Sequence, residues 1–157
     1  MDERIRGLEP EEYGCLEDFL YEAIFVPEGQ TPPPRSILTE PALRVYVDGF
    51  GEGAADIAVA AEADGRVVGA AWARIMDDYG HLDDETPSLA VALYAPYRGR
   101  GLGGALLEAL LGELKARGWR RASLSVQKRN RAQRLYRRLG FEEVVDKGEE
   151  LLMARTL

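Results

Sequence analysis

Residues that carry covalent or metal chemistry are scarce in this sequence. Among 157 residues there is one cysteine, Cys15, and one histidine, His81. A single cysteine excludes an internal disulfide and suits a reducing compartment, so a cytoplasmic setting is expected. One of each is also too few for a protein-built zinc site, and no metal is expected. No run of about 18 apolar residues occurs, so no membrane-spanning helix and no membrane partner are expected. The first residues, MDERIRGLEPEEYG, lack the apolar stretch of a signal peptide. Repeats and low-complexity tracts are missing too.

What is present reads as globular. Hydrophobic residues make up 46% and charged residues 30%, which suits one domain over residues 1–157 with a full core. The net charge of −7 is unevenly spread. Residues 98–138 hold twelve Lys/Arg and two acids, a balance of +10 that leaves −17 on the rest. A basic half beside an acidic one suits a polyanionic ligand and a cationic acceptor; it equally suits basic residues covering the outer faces of two helices. Net acidity, and the lack of aromatics alternating with the arginines, argue against a nucleic-acid surface.

The chain is organised around residues 89–141. An apolar strand is followed by Arg98-Gly99-Arg100-Gly101-Leu102-Gly103-Gly104, then an amphipathic helix, a strand and a second helix. Glycines permit close backbone approach and positive φ. The first N–H groups of a helix, with the dipole behind them, face back into such a turn. Two arginines add charge, and the whole reads as a phosphate or pyrophosphate site. Residues 99–104 match G-x-G-x-x-G, but the acid a dinucleotide site wants about 20 residues later is missing: Ser123-Leu124-Ser125-Val126-Gln127 stands there. No G-K-[ST] follows, which excludes a P-loop.

Arg98-x-x-Gly101-x-Gly103 resembles the R/Q-x-x-G-x-G/A pattern of the GNAT superfamily of acyl-CoA-dependent N-acyltransferases. The resemblance continues through Asn130, Ala132, Leu135, Tyr136 and Leu139-Gly140-Phe141. It is dense over residues 88–145 and thinner before them. One departure is Ala95-Pro96, where the family's proline usually stands one residue earlier. The resemblance implies an α/β fold with a mixed six- to seven-stranded central sheet flanked by helices. It implies an N-acetyltransferase that moves an acetyl group from acetyl-CoA to a primary amine by direct attack in a ternary complex; the alternative is a non-catalytic acyl-CoA sensor. It places the pyrophosphate on Arg98, Gly99, Arg100, Gly101, Leu102, Gly103 and Gly104. The pantetheine arm would lie along backbone groups of Val91 and Leu93 as an added strand.

Tyr136 would act as general acid to the CoA thiolate, although its place on an apolar helix stripe suits a core tyrosine equally well. Asn130 would touch the cofactor or simply cap a helix. Glu85, just ahead of the central strand, is the candidate base; Glu62, His81, Asp84 and ordered water are its rivals. The acceptor is a small-molecule amine or a peptide or protein amine. The acidic stretch 77–85 suggests a cationic one, and a homodimer follows family habit.

Elsewhere, Glu9-Pro10 opens a helix with the stripe Leu16, Phe19, Leu20, Ala23, Ile24. Cys15 beside it is a small hydrophobe. The proline-rich stretch 26–35 is a stiff loop, either lining the acceptor site or merely connecting. A second helix is expected over 41–50. Strands are expected over 56–62 and 66–75, joined by the hairpin signal Asp64-Gly65, and over 88–94 and 121–127. Trp72 reads as core. A helix over 101–117 should bury Leu102, Ala105, Leu106, Ala109, Leu110 and Leu114. A closing hairpin, 141–145 and 150–156, turns at Lys147-Gly148.

Overall fold

Strand side chains alternate between two faces, and here each face meets its own layer of apolar side chains. In the computed structural model, which describes residues 3–157, seven strands form one sheet. They are β1 (Glu3–Gly7), β2 (Ile57–Ala63), β3 (Arg66–Arg74), β4 (Ser88–Leu93), β5 (Arg121–Gln127), β6 (Glu142–Asp146) and β7 (Glu150–Thr156). Their spatial order is β1-β2-β3-β4-β5-β7-β6, and β4–β5 is the parallel contact in an otherwise antiparallel sheet. Val59, Ala61, Ala71, Leu89 and Leu124 pack on one face against a long helix. Ala58, Ala60, Ala70, Trp72 and Ala92 pack on the other against the N-terminal segments. The central strands are apolar on both faces because both faces are covered.

The helices are α1 (Leu16–Ala23), α2 (Pro41–Arg44), α3 (Leu102–Ala116) and α4 (Ala132–Arg138). Two depart from the sequence expectation. The helix expected from Pro10 runs as a 3-10 coil over Pro10–Cys15 before α1 begins. Glu12 closes a capping box on Glu9 and is gripped by the Arg6 guanidinium of β1 at 2.8 and 2.9 Å, so the first turn is tied to the sheet edge. Those bonds hold the Glu12 carboxyl well below its usual range, at about 2.

The helix expected over 41–50 is regular for only four residues and continues as turns. Arg74 reaches across from β3 and donates to the carbonyls of Val45 (3.1 Å) and Asp48 (2.8 Å). Its partner Asp56 accepts from Gly51 and Gly53 N–H at 3.0 and 3.1 Å. Backbone groups that would have continued a helix are satisfied from outside.

Trp72 is fully buried and donates to Tyr46 O at 3.1 Å, a core residue as expected. Burial pushes the half-buried Cys15 thiol up to about 11, which keeps it protonated. On α3 the buried stripe takes in Leu107 and Leu111, whereas Ala105 and Ala109 are half-buried. Among the described residues no helix is long and apolar enough to cross a membrane. No group of three His, Cys, Asp or Glu there is placed to hold a metal ion.

Candidate active site

The site is where the sheet comes apart. β4 and β5 share a single parallel bridge, Ser88↔Ser123, at their beginnings. Beyond it the strands diverge and a cleft of about 480 Å3 opens between them. Strand parity decides which β4 groups face that gap. Pro87 O accepts from Ser123 N–H of β5 at 2.9 Å, while Tyr94 N–H donates to Val68 O of β3 at 3.0 Å. Residues 88, 90, 92 and 94 therefore turn their backbone towards β3, and Val91 and Leu93 turn theirs towards the gap. Among the described residues no strand pairs with β4 there. The Leu93 carbonyl is taken, since it accepts from Arg98 Nε at 2.9 Å. Leu89, Ala90 and Val91 line one wall, and Leu124, Ser125, Val126 and Gln127 of β5 line the other.

Directly after β4 the chain makes its glycine turn, none of whose residues 98–104 lines the cleft. Ala95–Tyr97 is one 3-10 turn after β4, and Gly99 and Gly101 both have positive φ, +76° and +83°. Gly101 precedes α3 in the left-handed conformation, which β-carbon-bearing residues rarely adopt. The first intrahelical bond is Ala105 N–H to Gly101 O at 3.1 Å. The N–H groups of Leu102, Gly103 and Gly104 thus have no helical partner, no side chain caps them, and no acid occupies the first turn. Helix ends without a ligand usually recruit such a cap. Gly103 and Gly104 lie against α4, where a β-carbon on Gly104 would meet Leu135 at 3.3 Å.

Both arginines of the turn have protein partners. Arg98 ties the end of β4 to the last turn of α1, with Nη2 at 3.4 Å from Glu22 O and 3.8 Å from the Glu22 carboxylate. Arg100 lies 3.3 Å from the Glu3 carboxylate and over the Tyr97 ring. An anion here would rest first on backbone N–H groups, with these guanidiniums adding field rather than a dedicated clamp.

Tyr136 and Asn130 both line the cleft. Tyr136 is half-buried on α4, with its ring 6.3 Å from Phe141. Burial raises its phenol to about 12, so the hydroxyl is protonated at neutral pH. Asn130 Oδ1 accepts from Ala132 N–H at 2.9 Å and so caps α4. Its amide nitrogen is left for another partner.

A match to the family model described as Acetyltransferase (GNAT) family spans residues 20–141. The chain belongs to this acetyltransferase family. Solved structures agree in fold. An acetyltransferase of the GNAT family from Streptococcus pneumoniae is 22% identical, with a TM-score of 0.72, over 99% of this chain and 100% of its own. The paia N-acetyltransferase from Thermoplasma acidophilum, in complex with coenzyme A, is 19% identical, with a TM-score of 0.70, over 100% of both chains. The ribosomal-protein-S18-alanine N-acetyltransferase from Escherichia coli is 22% identical, with a TM-score of 0.66, over 99% of this chain and 94% of its own. Among curated proteins none matches the sequence.

Within this GNAT fold the base candidates fall apart. Glu85 is exposed and lines a separate depression with Trp119 and Arg121, beyond the Ser88–Ser123 bridge and outside the cleft. Glu62 is engaged by Arg4 and Arg6 on the far edge of the sheet. His81 Nδ1 donates to Met76 O at 2.9 Å, and its other nitrogen is 3.6 Å from Asp84. Two carboxylates do line the cleft, Glu40 ahead of α2 and Glu150 at the start of β7. Tyr46 and Tyr79 line it as well. Behind Tyr46, Asp78 accepts from Ser88 Oγ through Oδ2, while its shielded Oδ1 has no hydrogen-bond partner among the described residues. Burial raises both the Asp78 carboxyl and the Tyr46 phenol, and the charge of Asp78 adds to the rise at Tyr46. No local motif marks Glu40, Tyr46 or Glu150, because the α2 segment and the start of β7, far apart in the chain, bring them together.

Proposed function

We propose that the protein transfers an acetyl group from acetyl-CoA to a primary amine. The observation that carries this reading is the splayed β4–β5 pair, whose free β4 backbone leads to an uncapped helix N-terminus. An extended amide-bearing arm can pair with Val91 as an added strand while its pyrophosphate rests on the N–H groups of Leu102, Gly103 and Gly104. Membership of the acetyltransferase family, and the coenzyme A bound by the Thermoplasma neighbour, support that ligand.

The acceptor enters from the side of α1 and α2. Its nitrogen attacks the thioester carbonyl, and a β4 N–H polarises the carbonyl oxygen. The C–S bond breaks, and Tyr136 donates a hydrogen bond or proton to the leaving sulfur. Direct attack is favoured because Cys15, the sole thiol, is protonated and outside the cleft. Asn130 adds an amide donor to the cofactor side of the cleft.

Calorimetry with acetyl-CoA, beside a free-thiol assay with an amine panel, tests the reading. Micromolar binding is expected, and Gly101→Val should weaken it at least tenfold. Thiol release should require an amine. Binding without release on any amine would leave the acyl-CoA sensor as the function; no binding would sink both.

A further inference from the structure

The acceptor end of the cleft has a composition of its own. Ile24 and Phe25 from the end of α1, Ile37 from the 3-10 turn Arg35–Thr39, and Ala42, Leu43 and Tyr46 from the α2 segment face it. The polar residues among these segments are Tyr46, Tyr79, Glu40 and Glu150, while Ser125, Gln127, Asn130 and Tyr136 line the cleft from β5 and α4. Among the described residues that line the cleft, none is lysine or arginine. The nearby guanidinium of Arg35 is held by Asp18 and lies 5.6 Å over the Tyr21 ring, and Arg44 is paired with Glu17 and Asp48.

A carboxylate brought into such a wall meets no counter-charge and two like charges, and desolvating it unpaired is expensive. An ammonium meets the opposite situation, since the carboxylates favour its approach. An apolar body next to the amine finds apolar walls, and burying it there is favourable. A chain carrying several charges along its length would have to leave most of them against aliphatic side chains.

We infer that the acceptor is a primary amine on an apolar body that bears no carboxylate. This rests on the acetyl-transfer reading above. The reaction balances simply: the amine nitrogen forms the N–C bond, the C–S bond breaks, and the proton lost by nitrogen ends on the CoA sulfur. The inference narrows the acceptor by its charge. It also replaces the acidic stretch 77–85 as the source of selectivity. In that stretch only Tyr79 lines the cleft, while Asp83 lies 4.0 Å from Arg121 and Asp84 is turned to solvent beside His81.

A matched set of acceptors tests it, with acetyl-CoA binding measured in parallel by calorimetry. Phenethylamine and phenylalanine differ by one carboxylate, and phenylalaninamide replaces that charge with a neutral group of similar size. The expected kcat/KM for phenethylamine is at least 100-fold above phenylalanine and at least tenfold above spermidine, with phenylalaninamide nearer to phenethylamine. Ala42→Arg, at an exposed position on the cleft wall, supplies the missing cation and should narrow the phenethylamine-to-phenylalanine ratio at least tenfold. Equal use of phenylalanine, preference for spermidine, or no turnover of phenethylamine by protein that binds acetyl-CoA would each overturn the inference and leave the cofactor reading standing. Loss of acetyl-CoA binding itself would remove the reading beneath it.

Discussion

Tyr136 illustrates how little a residue's local pattern says about its work. On α4 it occupies the same apolar stripe as Ala132, Leu135 and Leu139, and all four pack against the α3-side core. A core tyrosine would look the same in the sequence. The difference is made by the gap between β4 and β5, which leaves Tyr136 on a cleft wall. Its phenol, raised to about 12 by burial, still holds its proton near pH ~10, where an ordinary primary amine loses its own. Tyr136→Phe is therefore expected to lower kcat by about 100-fold, the scale of one general acid, with acetyl-CoA affinity changed less than threefold. The alkaline side of the rate profile should show no wild-type loss from this group below about pH 11. Initial-rate pH profiles of the two proteins check both statements. An unchanged kcat would assign Tyr136 to packing alone.

At the scale of elements, the segment between α2 and β2 supports one wall of the cleft without a continuous helix. Arg74 and Asp56 do this together. Their ion pair, 3.0 Å long and with side chains 12% and 2% exposed, also satisfies two carbonyls and two N–H groups of the segment. Removing one member leaves a buried charge and several backbone groups unpaired. Arg74→Ala should cost about 3 kcal/mol of stability, measured by urea unfolding. In protein that still folds, the acceptor KM should rise by more than the acetyl-CoA Kd. That split follows because the segment supplies Tyr46 to the cleft and holds Leu43 of α2 beside it, whereas no residue of the glycine turn lines it. α3 shows the complementary case. Its N-terminus is left bare by Gly101 and Gly103-Gly104, and its body is fixed by six buried leucines. Rigid packing holds the free N–H groups in place without a cap.

For the whole molecule the deciding feature is the angle between two halves of the sheet. The connection from β3 to β4 passes over β5 where the splay begins, and Gly80 O accepts there from Ser123 Oγ at 2.6 Å. A β-carbon on Gly80 would stand 3.0 Å from Ser125 N and 3.1 Å from Leu124 C, both backbone atoms of β5 that cannot swing aside. Gly80→Ala is thus expected to destabilise the fold by about 1–3 kcal/mol. It should also weaken acetyl-CoA binding, because β5 is one wall of the cleft. Thermal unfolding and calorimetry on the same sample check the pair of effects. Stability lost with binding intact would uncouple the loop from the cleft.

Much of this architecture could be read beforehand. The strands, the long helix and the glycine turn came from periodicity, from Asp64-Gly65 and from the spacing of Arg98, Gly101 and Gly103. Those are short-range signals, set by strand alternation, helical repeat and the steric freedom of glycine, and a sequence carries them directly. The motif joining that turn to Asn130 and Tyr136 likewise identified the family without coordinates.

Tertiary structure alone decided the rest. It placed Glu85 outside the cleft, although it lies only three residues ahead of β4, because the Ser88–Ser123 bridge closes the sheet between them. It broke the 41–50 helix, because Arg74 arrives from another strand. It gathered Ile24, Leu43, Tyr46 and Glu150 into one wall. Burial, unpaired charge and the parting of two strands depend on segments far apart in the chain, and no local window of sequence contains them.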